Sequence, residues 1–357
     1  MRLAATPTYC ILGRMLLLLA MLQLSTVNCS LSFAQTLGGN SVFNFLKLSP
    51  SPTITALGNV QPATITADAT AAWNNPALLN ATHHKQLATS FNFFLADIKN
   101  LYAQYNHHLE KQEITFSGSI NYFNYGSTPQ TDAIGNVQSN FRANDYAITL
   151  SAAKELVPRF TTGIHARFIQ SNYGGNTSNG VAVDVGLIYT DSLQLFRFAV
   201  VARNMGQQLT AYQNGQKEEL PFEVQVGITK RLAKAPIQFS LAWQQAHRWN
   251  IFYNDSAFIS NNNLGEGKPT SFFNKLSSHL VFGVQLFLNK NIELGIGYNF
   301  LQRKEQSMGN TGNGLAGFSG GLGIIYKQFQ FRYASSLYLS NIASHQVGIA
   351  FNLEKKL

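Results

Sequence analysis

From about residue 86 onward, apolar and polar side chains alternate with a period of two. In Phe222-Glu223-Val224-Gln225-Val226-Gly227-Ile228-Thr229 one face carries Phe, Val, Val and Ile, and the other Glu, Gln, Gly and Thr. Ile237 to Trp243 and His345 to Phe351 repeat the pattern. Period two belongs to strands, whose successive side chains point to opposite faces. The pattern predicts about fourteen of them, at 86–94, 101–107, 113–122, 145–150, 160–169, 181–189, 196–203 and 222–229 in the first part of the chain. The remainder fall at 237–243, 278–288, 292–298, 315–326, 329–338 and 345–353. Many approach the roughly 9–11 residues that a tilted strand needs to cross a bilayer.

Alternation also suits a soluble sandwich, and the connections separate the two. Short ones (108–112, 155–159, 190–195, 289–291 and 327–328) take turns with long polar ones (123–144, 170–180, 204–221, 244–277 and 301–314). A transmembrane barrel sorts its loops by parity in this way, with short periplasmic turns and long external loops. The expected fold is therefore all-β: a transmembrane antiparallel β-barrel of about 14 strands, spanning 86–357, with both ends of the mature chain in the periplasm. The longest loop, 244–277, then faces outward. It carries Trp249, Phe252, Tyr253, Phe258, Phe272 and Phe273 among Asn and Ser. Such a loop either binds a surface partner or folds back over its own rim.

Residues 35–85 break the alternation. They are rich in Thr, Ala, Pro and Asn, and suit an N-terminal plug segment inside the barrel. Ahead of them, Arg2 and Arg14 precede an apolar stretch at Met15 to Ala20, and Ser32-Phe33-Ala34 offers small residues to signal peptidase. Residues 1–34 thus read as a signal peptide cleaved before Gln35. The apolar run Met15 to Val27 contains Gln23 and falls short of the roughly 20 residues of a spanning helix.

Composition agrees with a membrane protein made of strands. Charged residues are 12%, against 45% hydrophobic and 12% aromatic, where soluble domains carry about 25% charge. Cys10 and Cys29 both lie in the leader, so the mature chain has neither disulfide nor thiol nucleophile. Cys29 follows Thr26-Val27-Asn28, which is not a lipoprotein signal. The formal net charge is +9, and only two of the cations, Arg2 and Arg14, leave with the leader. The lysines are scattered, which points away from nucleic acid and toward anionic outer-membrane lipid or lipopolysaccharide.

Sites for chemistry are sparse. His83-His84 and His107-His108 are adjacent pairs, which a strand would point to opposite faces, so neither chelates one ion readily. Gly309-Asn310-Thr311-Gly312-Asn313-Gly314 lacks the Lys-Ser/Thr of a phosphate loop. Gly320-Gly321-Leu322-Gly323 falls in a strand, where glycine permits a bend or the close approach of a plug. Asp145, Asp184, Glu223 and His165 can face a lumen, but no nucleophile motif accompanies them. No enzyme activity, cofactor or metal is expected.

Three stretches carry a resemblance. Gly38-Gly39-Asn40-Ser41-Val42-Phe43-Asn44-Phe45-Leu46, continuing through Ala56-Leu57-Gly58 and Trp73-Asn74-Asn75-Pro76-Ala77-Leu78-Leu79, resembles the PorV/PorQ family, outer-membrane barrels of the type IX secretion system of Bacteroidota. Asn204-Met205-Gly206-Gln207-Gln208-Leu209 and Leu220-Pro221-Phe222-Glu223 extend it. The Asn75-Pro76-Ala77 segment is also similar to that of FadL-like barrels, which have fourteen strands and an N-terminal plug. Pro76 restricts Asn75 to extended geometry, and Asn75 can bond backbone locally; a structural turn is preferred to a ligand site. The resemblance implies a non-catalytic subunit of the cell-surface attachment complex. Its partners would be a sortase-like protease, a related barrel and a surface-exposed protein, and its cargo becomes linked to lipopolysaccharide. Trp73 and the final Lys355-Lys356-Leu357 depart from the family pattern. The alternative is a FadL-like channel for hydrophobic compounds.

Overall fold

The structure, a computed structural model, describes residues 41–94, 97–132, 134, 136–212, 215–251, 271–306, 314–338 and 342–354. The leader with its cleavage site, residues 35–40, Phe252, Tyr253 and Phe258, 309–313 and 355–357 lie outside the described residues.

Fourteen antiparallel strands close into a barrel. The first seven are β1 (Gln86–Phe93), β2 (Lys99–Leu109), β3 (Ile114–Thr131), β4 (Val137–Val157), β5 (Phe160–Tyr173), β6 (Asn176–Thr190) and β7 (Phe196–Thr210). The second seven are β8 (Glu223–Arg231), β9 (Ile237–Trp243), β10 (Leu280–Phe287), β11 (Ile292–Asn299), β12 (Phe318–Tyr326), β13 (Phe329–Leu337) and β14 (Ala343–Asn352). Each strand pairs with the next, and β1 closes the ring on β14 from Gln86↔Asn352 to Phe93↔His345. Closure leaves no strand edge unpaired, which a bilayer requires because lipid tails offer no hydrogen bonds.

The two faces of the wall differ as the alternation predicts. On β6, Val181, Val183, Val185 and Leu187 are each 37–44% exposed, while Ala182, Asp184 and Gly186 between them are buried. The exposed row meets lipid and the buried row meets the lumen.

The strands differ from expectation at the long-loop end. Connections expected at 123–144, 170–180 and 204–221 are instead largely strand: β3 and β4 pair out to Thr131↔Val137, β5 and β6 meet at Tyr173↔Asn176, and β7 runs on to Thr210. The reason is environmental. Beyond the hydrocarbon layer both faces of a strand meet water or polar loops, so the apolar–polar contrast fades while backbone pairing continues.

Before β1 the chain forms short helical turns: 3-10 turns at Asn44–Lys47, Ala69–Trp73, Pro76–Leu78 and Ala81–His83, and helix α1 (Pro52–Ala56). Ser51 caps α1 by accepting from the Ile54 N–H, and Asp68 caps the turn at Ala69–Trp73 through the Thr70 N–H. This segment packs against the inner faces of β4–β6 and β11–β14. Val42 N–H donates to the Glu219 carbonyl at 3.0 Å, in the β7–β8 connection. The segment therefore starts at the long-loop end and descends through the lumen to Lys85. Val42, Phe43, Phe45 and Leu46 are buried there against Phe123, Ile169 and Leu220, which a segment lying outside the barrel would leave exposed to water.

Candidate functional site

The inner wall holds the luminal segment at two places. The first is the Asn-Pro-Ala turn. Asn75 is extended (φ −150°), as the following proline demands. Its Oδ1 accepts from the Ala77 N–H at 3.0 Å and its Nδ2 donates to the Pro62 carbonyl at 2.8 Å. Both ends of a buried side chain are thus satisfied by backbone, the use a turn makes of Asn. The wall accommodates the turn through glycine. A Cβ on Gly163 would fall 2.4 Å from the Ala77 nitrogen, and one on Gly186 would fall 1.9 Å from Asn75 Oδ1.

Around this turn the wall supplies buried polar groups. Arg167 on β5 and Asp184 on β6 form an ion pair at 2.7 Å, both side chains fully buried. Arg167 also donates to the Trp73 carbonyl at 2.9 Å and to Asn204 Oδ1 at 3.3 Å, and its guanidinium lies 4.0 Å over the Trp73 ring. A guanidinium can satisfy all of these at once because its donors are spread in a plane. Asp184 accepts the Asn204 N–H at 2.7 Å, where β7 bulges and Asn204 takes φ 57°. His165, directly opposite Asp184 in register, lies 2.8 Å by Nε2 from the Ala72 carbonyl and 2.7 Å by Nδ1 from Ser151 Oγ. The carbonyl can only accept, so Nε2 carries the proton and Nδ1 accepts from the serine.

The second hold is α1 together with the chain as far as Thr70. Asp68 accepts from Ser51 Oγ at 2.8 Å and Thr70 Oγ1 at 2.6 Å, and lies 3.9 Å from Arg332 of β13. Arg332 pairs with Glu293 of β11 at 2.9 Å. Burial pushes the Asp68 carboxyl up, but Arg332 and the hydroxyls outweigh it and hold the group below its ordinary value. Glycines again admit the segment: Cβ atoms on Gly297, Gly321 and Gly348 would fall 2.2 Å from Gly58 N, 2.7 Å from Ala56 Cβ and 2.7 Å from Pro52 Cγ. Gly321 belongs to the Gly320–Gly323 run, where glycine admits the close approach of this segment.

Of the residues that can face a lumen, His165 and Asp184 meet at the first hold. Asp145 sits apart, accepting from Tyr125 at 2.6 Å and from Ser171, and Glu223 accepts the Gln245 N–H at 3.2 Å. Arg167, Arg332 and Asp68 escaped sequence reasoning, although a lone arginine on the polar face of an otherwise neutral strand is the trace each of the first two leaves.

At the long-loop rim, Trp249 is 45% exposed. It stacks on His279 (5.7 Å) and packs 5.5 Å from Phe272, at the start of helix α2 (Phe272–Ser278). His279 Nε2 lies 3.2 Å from the Trp249 carbonyl, so this part of the loop folds onto the rim. Phe272 and Phe273 remain 60% and 76% exposed. Of the paired histidines, His84 and His107 approach to 4.9 Å between ring centres, and His84 Nδ1 accepts the His108 N–H. No group of three metal-ligating side chains gathers among the described residues. Beneath the segment, at the short-turn end, a cavity of about 1150 Å³ opens.

No protein-family model matches the sequence, and no curated protein matches it. Solved structures do match the fold. The CymD monoaromatic hydrocarbon channel superposes with a TM-score of 0.50 at 12% identity, over 87% of this chain and 97% of that one. The Pseudomonas putida toluene transporter TodX gives 0.48 at 12%, over 85% and 96%. A FadL homologue of Pseudomonas aeruginosa gives 0.47 at 8%, over 85% and 98%. The first of these carries the conclusion, which concerns the fold alone: the protein has the architecture of an outer-membrane β-barrel of the FadL-like kind.

Proposed function

We propose that the protein is a plugged outer-membrane barrel, with residues 41–84 as the plug, the short turns in the periplasm and the long loops outside. In this reading it is a non-catalytic subunit of the type IX attachment complex, close to PorQ, which anchors a surface partner while secreted cargo is linked to lipopolysaccharide. The observation that carries the proposal is the seating of the luminal segment. Charged bonds from Arg167 and glycine contacts on both sides of the wall hold it, and its apolar start is buried against Phe123, Ile169 and Leu220. A barrel sealed in this way suits a platform whose business lies on its external rim, where Trp249, Phe272 and Phe273 are exposed. The PorQ assignment itself rests on the sequence resemblance.

The second reading is a FadL-like channel for hydrophobic compounds, and the solved structures favour it over the first, since CymD is described as a monoaromatic hydrocarbon channel. For transport the plug must shift to open a path. One experiment separates the two: gentle detergent purification from the native membrane, followed by identification of what copurifies. A sortase-like protease and a second barrel support the attachment complex. A stoichiometric hydrophobic compound without protein partners supports the channel and removes the first reading.

A further inference from the structure

The cavity of about 1150 Å³ at the short-turn end is larger than a bare ion needs and of the size that takes an organic ligand. Two inward-facing arginines on neighbouring strands line it, Arg197 of β7 and Arg231 of β8. Among the described residues neither makes an ion pair. Of the acids that share the lining, Glu113 sits exposed in the β2–β3 turn and the other three are engaged elsewhere. Asp191 accepts the N–H groups of Leu195 and Phe196 at 2.7 and 2.8 Å, Glu155 accepts the Arg159 N–H at 2.7 Å, and Glu293 is paired with Arg332. Arg231 is held in place by stacking, its guanidinium 4.1 Å over the Phe287 ring. Arg197 spends one nitrogen on the Thr64 carbonyl at 2.9 Å, and its buried Nε has no partner. Between them stand two guanidinium charges without carboxylates, in a recess that limits screening by water. Apolar groups share the same lining, notably Leu79, Phe287 and Ile325.

We infer that this vestibule binds an amphiphilic phosphate monoester, its dianionic head between Arg197 and Arg231 and its apolar part against Leu79 and Phe287. Paired guanidiniums suit the three oxygens and double charge of a phosphate monoester better than a single-charged carboxylate. The site lies at the opposite end of the lumen from the aromatic rim, and the inference holds for either proposed function.

Isothermal titration of the whole barrel in non-ionic micelles at low salt tests it, with hexyl phosphate as the probe. Saturable one-to-one binding is expected, with inorganic phosphate, hexanoate and hexanol each weaker by about tenfold or more. Arg231→Gln should weaken hexyl phosphate by about tenfold, and Arg197→Gln likewise. Because Arg197 also bonds the luminal segment, Arg231→Gln, which acts on the wall alone, decides the matter, with heat-shifted gel mobility confirming an intact barrel. Lys99→Gln removes a charge at the far end and should leave binding unchanged. Absence of saturable binding overturns the inference. So does hexanol, hexanoate or inorganic phosphate binding as tightly as hexyl phosphate, an Arg231→Gln variant that binds like the parent, or a Lys99→Gln variant that weakens as much.

Discussion

The wall of the barrel has a tall side and a low side, and they grip the same luminal segment by different physics. Strands β3 to β7 run 14–21 residues, whereas β8 to β14 run 7–10. On the tall side a fully buried ion pair, Arg167–Asp184, bonds the backbone at Trp73. On the low side α1 lies against glycines, and the nearest charge contact, Asp68 to Arg332, stretches to 3.9 Å. A buried ion pair is costly to desolvate and contributes little net stability, but breaking it leaves a bare charge in a dry place. A glycine groove has no such cost; it fixes position by leaving room nowhere else. The bonds that accompany it are neutral ones, from Ser319 Oγ to the Ala56 carbonyl and from Asn299 Nδ2 to the Gly58 carbonyl, each at 3.1 Å. The tall side therefore defines the orientation of the segment and the low side its depth.

Filling a glycine where backbone meets backbone should have the largest effect. Gly163→Val places carbon 2.4 Å from the Ala77 nitrogen, which side-chain repacking cannot relieve. We expect the turn to be expelled, with ion conductance in planar bilayers rising above that of the parent; an unchanged conductance would show that the turn does not seal the lumen. Next comes Asp184→Ala, which strands Arg167. Losses from one-sided breaks of this kind are about 3–5 kcal/mol. The double variant Arg167→Met with Asp184→Leu should recover much of it in denaturant unfolding, and no recovery would mean the pair acts as more than a charge balance.

Arg332→Gln should cost less, about 1–3 kcal/mol, since Ser51 and Thr70 still hold Asp68 and the other carboxylate it frees, Glu293, borders the cavity at the short-turn end. Its signature is in pH. The folded Asp68 carboxyl lies below its ordinary value, so its stabilisation is present above that value and lost as pH falls through the folded one. His83, driven by burial to about 4 from an ordinary 6.5, adds a loss between those two values, because the unfolded chain takes up the proton first. Protease resistance of residues 41–84 should thus decline from about pH 6.5 downward, and Arg332→Gln should move the Asp68 part of that loss to higher pH. The smallest effect is expected from Trp249→Ala, about 0.5–1.5 kcal/mol for its ring contacts. If that variant still loses surface partners at full barrel stability, the exposed face of Trp249 serves binding and not only closure of the rim.

The alternation made the wall legible because lipid imposes it: every outward Val or Leu of β6 was marked by its neighbours. Where lipid ends the mark ends, and so Thr131 and Thr210 looked like loop while pairing as strand. His165 and Asp184 were legible as inward residues by parity. Their meeting with Trp73 and Ala72 was not, because it joins positions about ninety residues apart and depends on how a segment without periodicity lies across the lumen. Asn75 could be read as a turn from its proline alone; the glycines that receive it, Gly163 and Gly186, are spaced like any other small residue of a barrel strand.

The bridge between Val42 and Glu219 has a consequence for assembly. The segment enters at one mouth of the barrel and reaches Lys85 at the other, with Trp73 wedged under Arg167 on the way. Once β1 and β14 have zipped together along their eight register pairs, the held turn at Asn75 would have to pass the Gly163 and Gly186 contacts to take its seat from outside. The sheet must instead curl around a segment already lying on it. The β1–β14 seam, which joins the most distant strands of the chain, is then the last to form, and residues 41–84 act as the mandrel on which the cylinder is rolled.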